Sequence, residues 1–374
     1  MELGFMLLRK SEHFRLLLLS FSYQSSQDIF GIALPILALS LSASPFEIGL
    51  LATSRGAAYS VSSFMMGYLS DRIESRRMTL YPMTIIMVIS LLFSVSTTPL
   101  ELIILRFFEG LSMAMFWPTI ESSIVKTEKL SISKPLREFN VSWSLGHMLG
   151  PLIGGGLITI FGVRSPFPLV GAIASANTVL IASRIARKNT DRSKTKALPF
   201  KKAVPSGVLI SAAVLIGVMM TIFFTFLPVL GIQKGVSAFE IGVMLFLFGA
   251  VRMFFFHRAP ASKMGLEARV LLASGSLFMI YLGEKWVVYF GVISLAASMS
   301  LIYAYTIEHI LAGEKETAGL RAGIFEGSLG IGSVFGPFLA GLAATLSLSY
   351  AFVIASLSGL IFIATLRLGR EFQR

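Results

Sequence analysis

The sequence predicts an all-α membrane protein with twelve transmembrane helices in two pseudo-symmetric six-helix bundles, and three observations lead there. The 374-residue chain is 55% hydrophobic with 31 Phe and a mean hydropathy of +0.78, more apolar surface than one soluble core buries. Apolar runs long enough to span hydrocarbon as helices recur along its whole length. With both termini cytoplasmic, the outer loops hold only Arg164, Lys234 and Lys285, Arg15, Arg55, Arg106 and Arg252 fall within runs, and every other Lys and Arg gathers on the inner side. The net charge of +12 is therefore a basic inner rim facing anionic lipid, and no nucleic-acid partner is expected.

The first six runs cover residues 14–41, 46–70, 77–97, 100–125, 136–161 and 165–187. Run 1 is too long for a signal-peptide core and lacks a clear small-residue cleavage site, so it is read as helix 1. Asp28 lies near its centre, with Gln24 one turn earlier on the same face and Gln27 beside it. A charge at such depth is costly in hydrocarbon and marks function. Asp28 is either a protonatable coupling site or a carboxylate paired with Arg55 or Arg106. Run 2 carries Arg55 and ends at the charge-rich stretch MGYLSDRIESRRM. Run 4 holds Arg106 and Glu109 in LRFFEGLSM, and Arg55 and Glu109 reach a similar depth, about 14 Å at roughly 1.5 Å per residue, so they can pair. Glu121, near the inner end of run 4, reads as a rim residue or an interhelical partner. Run 5 contains GHMLGPLIGGG, whose Gly146, Gly150, Pro151, Gly154, Gly155 and Gly156 weaken a helix unless close packing or bending is wanted.

Residues 188–204, KNTDRSKTKALPFKKAV, form the one long polar basic stretch of the interior and read as a cytoplasmic linker between halves 1–187 and 205–374. The second half supplies runs 205–231, 237–258, 266–283, 286–311, 318–345 and 347–369. It repeats the first: ALPIL then SPFEIGL returns as FLPVL then SAFEIGV, GPLIGG as GPFLAG, and the TIE at 119–121 as the TIE at 306–308. Glu308 thus corresponds to Glu121. Glu326, in run 11, is a gate partner or a cavity residue, and Gly332, Gly336, Pro337 and Gly341 form a weaker copy of the helix-5 glycine run.

Two parallel six-helix repeats match a transporter architecture in which the halves rock about a midplane site. A primary pump would need a phosphate-binding Gly-Lys loop, and the sequence has none. An enzyme is not expected, since the four His (13, 147, 257 and 309) are scattered without a His-Glu-x-x-His, and His147 reads as packing on the helix-5 glycine face. With no Cys, disulfides and thiolate metal sites are excluded, and no metal or cofactor is expected.

At this point the chain resembles the major facilitator superfamily, in its drug:proton antiporter branch. The family's loop G-x-L-[AS]-D-R-x-G-R-[RK]-[RK] is matched by Gly67, Leu69, Ser70, Asp71, Arg72, Arg76 and Arg77, with Glu74 and Ser75 departing from it. Arg106 and Gly110 match its R-x-x-x-G element, and Gly146, Gly150, Pro151, Gly154 and Gly155 resemble the helix-5 motif of its exporters. The resemblance implies a cytoplasmic gate in which Asp71 meets the N-terminus of helix 11, close packing of helix 5 on helix 8, and proton transfer linked to Arg106. It also implies a cavity lined by helices 1, 4, 7 and 10; Gln24, Gln27, Asp28, Met113, Trp117, Phe224 and Tyr303 are the expected lining, and Asp28, Arg106, Glu109 and Arg55 the expected proton-coupling set. The expected activity is proton-coupled efflux of small amphipathic or drug-like compounds by a monomer in the plasma membrane, in contact with lipid; the alternative is proton-coupled import of a sugar or organic anion.

Overall fold

The computed structural model describes residues 2–70, 75–127, 133–184, 205–258, 264–312 and 317–371. Among them the secondary structure is helical throughout: α1 (Glu2–Ser40), α2 (Pro45–Ser70), α3 (Ser75–Val95), α4 (Pro99–Thr127), α5 (Ser133–Phe161), α6 (Pro166–Arg184), α7 (Gly207–Gln233), α8 (Ala238–Arg258), α9 (Leu266–Leu282), α10 (Lys285–Leu311), α11 (Ala318–Ala344) and α12 (Tyr350–Glu371). Each expected run coincides with one helix, the largest shift being α1, which begins at Glu2. The expected linker 188–204 lies outside the described residues.

Seven helices (α3, α5, α7, α8, α10, α11 and α12) are long and apolar enough to cross a bilayer by length and composition. Of the others, α6 and α9 are short, at 19 and 17 residues. In α1 and α4 the apolar character is diluted by polar side chains that turn inward: Gln24, Gln27, Asp28, Arg106 and Glu109 are all buried. The outward faces carry exposed Leu91, Phe254, Phe290 and Ile361, a surface suited to lipid rather than water.

Helix starts follow from local capping. The repeated S-x-x-E of SPFEIGL and SAFEIGV is a capping box: the Glu47 amide donates to Ser44 Oγ at 3.3 Å and Ser44 N to Glu47 Oε2 at 2.8 Å, and in the second copy the Glu240 amide donates to Ser237 Oγ at 3.2 Å. Gly162, Gly235 and Gly283, with φ of 88°, 76° and 76°, take the left-handed conformation that ends α5, α7 and α9.

Glycine then sets the packing. Along the seam between α2 and α11, a Cβ on Gly67 would lie 2.5 Å from Gly323 Cα, one on Gly56 2.5 Å from the Ser333 carbonyl, and one on Gly49 2.5 Å from the Pro337 carbonyl, so the two backbones touch from one end to the other. Helix α5 uses two faces. Gly146, Gly150 and Gly154 sit against Phe21, Ser25 and Ile29 of α1, whereas Gly155 meets Ala238 and Pro151 meets Gly242 of α8. The implied close packing of helix 5 on helix 8 is present, through Gly155 and Pro151, while the glycine stripe at four-residue spacing is a second face that α1 occupies.

Candidate functional site

The close approach of α5 to α1 builds the centre of the site. A Cβ on Gly150 would lie 2.8 Å from Asp28 Cβ, so the absence of a side chain there admits Asp28 into the space between the helices. One turn earlier on α5, His147 reaches the same carboxyl, its Nδ1 2.8 Å from Asp28 Oδ1, while Gln24 Nε2 donates to Oδ2 at 2.8 Å. Reading His147 as packing alone is thus corrected. Its ring does pack, stacked at 15° on Phe224 of α7 and edge-on to Trp143, and that sandwich holds Nδ1 beside the acid without a hydrogen-bond alignment. Asp28 contacts neither Arg55 nor Arg106 as an ion pair; the ionisable group in contact with it is the imidazole.

A second cluster fixes the guanidiniums. Arg106 Nη1 donates to both Glu109 oxygens at 2.8 and 2.6 Å, and Arg55 Nη1 stands 3.6 Å from Glu109 Oε1. Gly110 lets the α2 backbone at Arg55 come into contact with α4, which brings two arginines onto one fully buried carboxylate. The anticipated Arg55–Glu109 pair is present, with Arg106 as the closer partner.

All seven expected lining residues, Gln24, Gln27, Asp28, Met113, Trp117, Phe224 and Tyr303, face one cavity between the first six and the last six helices. Sequence reasoning missed others: Tyr59 of α2, Thr221 of α7 bonded at 2.8 Å to Ser333 of α11, and Arg252 of α8. The Arg252 guanidinium is buried 4.3 Å from the Trp143 ring centroid, with Phe256 and Tyr303 at 5.2 and 5.3 Å, and forms no ion pair with a carboxylate among the described residues. Both polar atoms of the Gln27 amide are buried without a hydrogen-bond partner. Such an amide on a cavity wall is a place where a ligand gains hydrogen bonds the protein has left open. No group of His, Cys, Asp and Glu among the described residues is arranged to hold a metal ion.

A match to the Major Facilitator Superfamily spans residues 16–313. The chain belongs to the major facilitator superfamily. Within it, the chain is 27% identical to the multidrug resistance protein MdtG of Klebsiella pneumoniae (strain 342) over 150 residues, 40% of this chain and 36% of that protein. It is 30% identical over 145 residues to an uncharacterised MFS-type transporter of Methanocaldococcus jannaschii, 38% of each chain. The aligned part thus spans little more than a third of these relatives. The fold resembles that of the human organic anion transporter MFSD10 (TETRAN), with a TM-score of 0.69 at 16% identity over 94% of this chain and 98% of that one. It also resembles the nucleoside transporter NupG, with a TM-score of 0.69 at 12% identity over 94% and 97% of the respective chains.

In this superfamily member the loop signature between α2 and α3 is only partly described. Asp71 and Arg72 lie outside the described residues, Arg76 and Arg77 begin α3 with side chains outside them, and Gly67 is buried against Gly323 of α11. Glu326 stands in the cavity wall, where it accepts a hydrogen bond from the Tyr59 hydroxyl.

Proposed function

We propose that the protein exports small amphipathic, drug-like organic compounds in exchange for protons, as a monomer in the plasma membrane with both termini cytoplasmic. Halves 1–187 and 205–374 rock about the cavity, and residues 188–204 link them. The observation that carries this reading is the Asp28–His147 contact inside an aromatic-walled cavity. A carboxyl and an imidazole in contact hold a variable number of protons, so the charge the cavity offers a substrate depends on proton occupancy. A bound substrate that changes that occupancy competes with the proton, the minimum requirement for antiport. Arg106, Glu109 and Arg55 complete the coupling set by fixing the field around the pair. The likeness to the multidrug resistance protein supports the efflux direction.

The test is flux in proteoliposomes under an imposed pH difference. Asp28→Asn, which cannot ionise, should abolish pH-driven accumulation of substrate, and Asp28→Glu should retain part of it. Accumulation by the Asn variant against a gradient would sink the assignment.

Arg252 favours a second reading, transport of an organic anion: it is a buried cation that a substrate carboxylate would neutralise. Competition distinguishes the two. Amphipathic cations should displace a fluorescent substrate under the first reading, and aromatic carboxylates under the second, with Arg252→Gln abolishing only the latter.

A further inference from the structure

A second acid site spans the seam between α4 and α11. Glu121 of α4 is 1% exposed and Glu326 of α11 is 3% exposed, and their carboxyls lie within hydrogen-bonding reach of each other. Neither oxygen of Glu121 meets an N–H or hydroxyl donor among the described residues, and neither acid has a Lys, Arg or His partner there. The groups that face the pair are hydroxyls: Tyr59 of α2 donates to Glu326 Oε2, and Tyr303 of α10 interacts with both acids. Of the guanidiniums on the same cavity, Arg252 of α8 lies over the Tyr303 ring, and Arg55 of α2 and Arg106 of α4 pair with Glu109 rather than with either carboxyl. Helix α7, which also packs on α11, carries no ionisable residue.

Two carboxylates are acceptors only and repel each other, so a buried contact between them requires one proton, supplied by whichever carboxyl is neutral. We propose that Glu121 and Glu326 form a proton-binding site closed across the two halves of the molecule, in which one shared proton is the condition for α4 and α11 to meet on the side of the chain termini. When the proton leaves, two like charges face each other in a poorly hydrated seam, and the halves part there until water solvates each carboxylate. The sign follows: the closed seam holds a proton that the parted seam releases, so acid favours closure and alkali favours opening on that side. Glu326 also faces the cavity, which gives the proton a route to the space occupied by substrate. This site rests on the rocking motion proposed above but not on Asp28 as the coupling acid.

The chain has no Cys, so a spin-label pair can be placed directly at Met65→Cys on α2 and Leu368→Cys on α12, two exposed positions in different halves on the terminal side. Distances are read in lipid nanodiscs without substrate, from acid to alkaline pH, in wild type and in an Asp28→Asn background that removes the contribution of that acid. The expected result is a shift to longer distances with rising pH in both backgrounds. Glu121→Gln and Glu326→Gln, made separately, should hold the short distance across the whole range, because an amide donates to the remaining carboxylate without needing a proton. Either variant alone suffices if the other does not fold. A wild-type distance that ignores pH would overturn the proposal, as would a shift that the Gln variants keep or that Asp28→Asn alone removes.

Discussion

Glu109 stands between two guanidiniums and is fully buried, so its value to the fold is measured by what its removal leaves behind. Glu109→Gln would strand Arg106 and Arg55 without a countercharge, and breaking a buried pair from one side typically costs about 3–5 kcal/mol. We expect a loss of that order in the detergent-solubilised protein, read as a lowered Tm. Arg55→Gln should cost clearly less, because its contact is 3.6 Å long and its side chain is 18% exposed. Equal losses would show that Arg55, despite its longer contact, carries the countercharge of Glu109. Arg106 with Glu109 went unread despite its one-turn spacing, but Gln24 with Asp28 was legible from that spacing and Arg55 with Glu109 from matching depth in their helices. His147 with Asp28, and Glu121 with Glu326, were not, because their contacts depend on which helices touch and at what height. Periodicity carries no record of that.

At the level of the element, α5 shows what glycine spacing does and does not reveal. The run in GHMLGPLIGGG announces close packing, yet the partner of each glycine is set by its angular position: Gly146, Gly150 and Gly154 share one face, and Gly155 lies about 100° further round. The consequence is testable with one substitution at two sites. Gly150→Leu would drive a side chain into the Ser25 carbonyl at 2.7 Å and Asp28 Cβ at 2.8 Å, whereas at Gly156 a Cβ meets only a Phe239 ring carbon at 3.9 Å. The first should cost about 1–3 kcal/mol of stability, as overpacking does, and displace Asp28 with loss of transport. The second should be near neutral in both thermal unfolding and flux. Helix positions themselves, the start of α1 apart, were readable to within a few residues because a bilayer fixes span length, and the S-x-x-E boxes fix the starts of α2 and α8.

For the whole molecule, the α2–α11 seam joins the two sets of six helices from end to end, and transport by rocking requires each end of it to open in turn. At the end away from the chain termini the rings of Phe46 and Phe338 lie 5.6 Å apart. Phe46→Cys with Phe338→Cys, bridged by a short bifunctional maleimide, should reduce flux to background, while the same protein without the bridge transports. Undiminished flux through the bridged protein would mean that this end never parts. The global architecture was legible because internal repetition and the positive-inside bias are properties of the entire chain; the seam was not, because its contacts join segments far apart in sequence. Its end on the side of the chain termini sets glycine against glycine, at Gly67 and Gly323, and that has a consequence for how the sequence can drift. At an ordinary core contact a larger residue on one side is tolerated when its neighbour shrinks, so paired replacements keep the fit. Here neither neighbour has anything left to give up. The two positions have no compensating partner, and a lineage that loses either glycine must move the helices themselves apart.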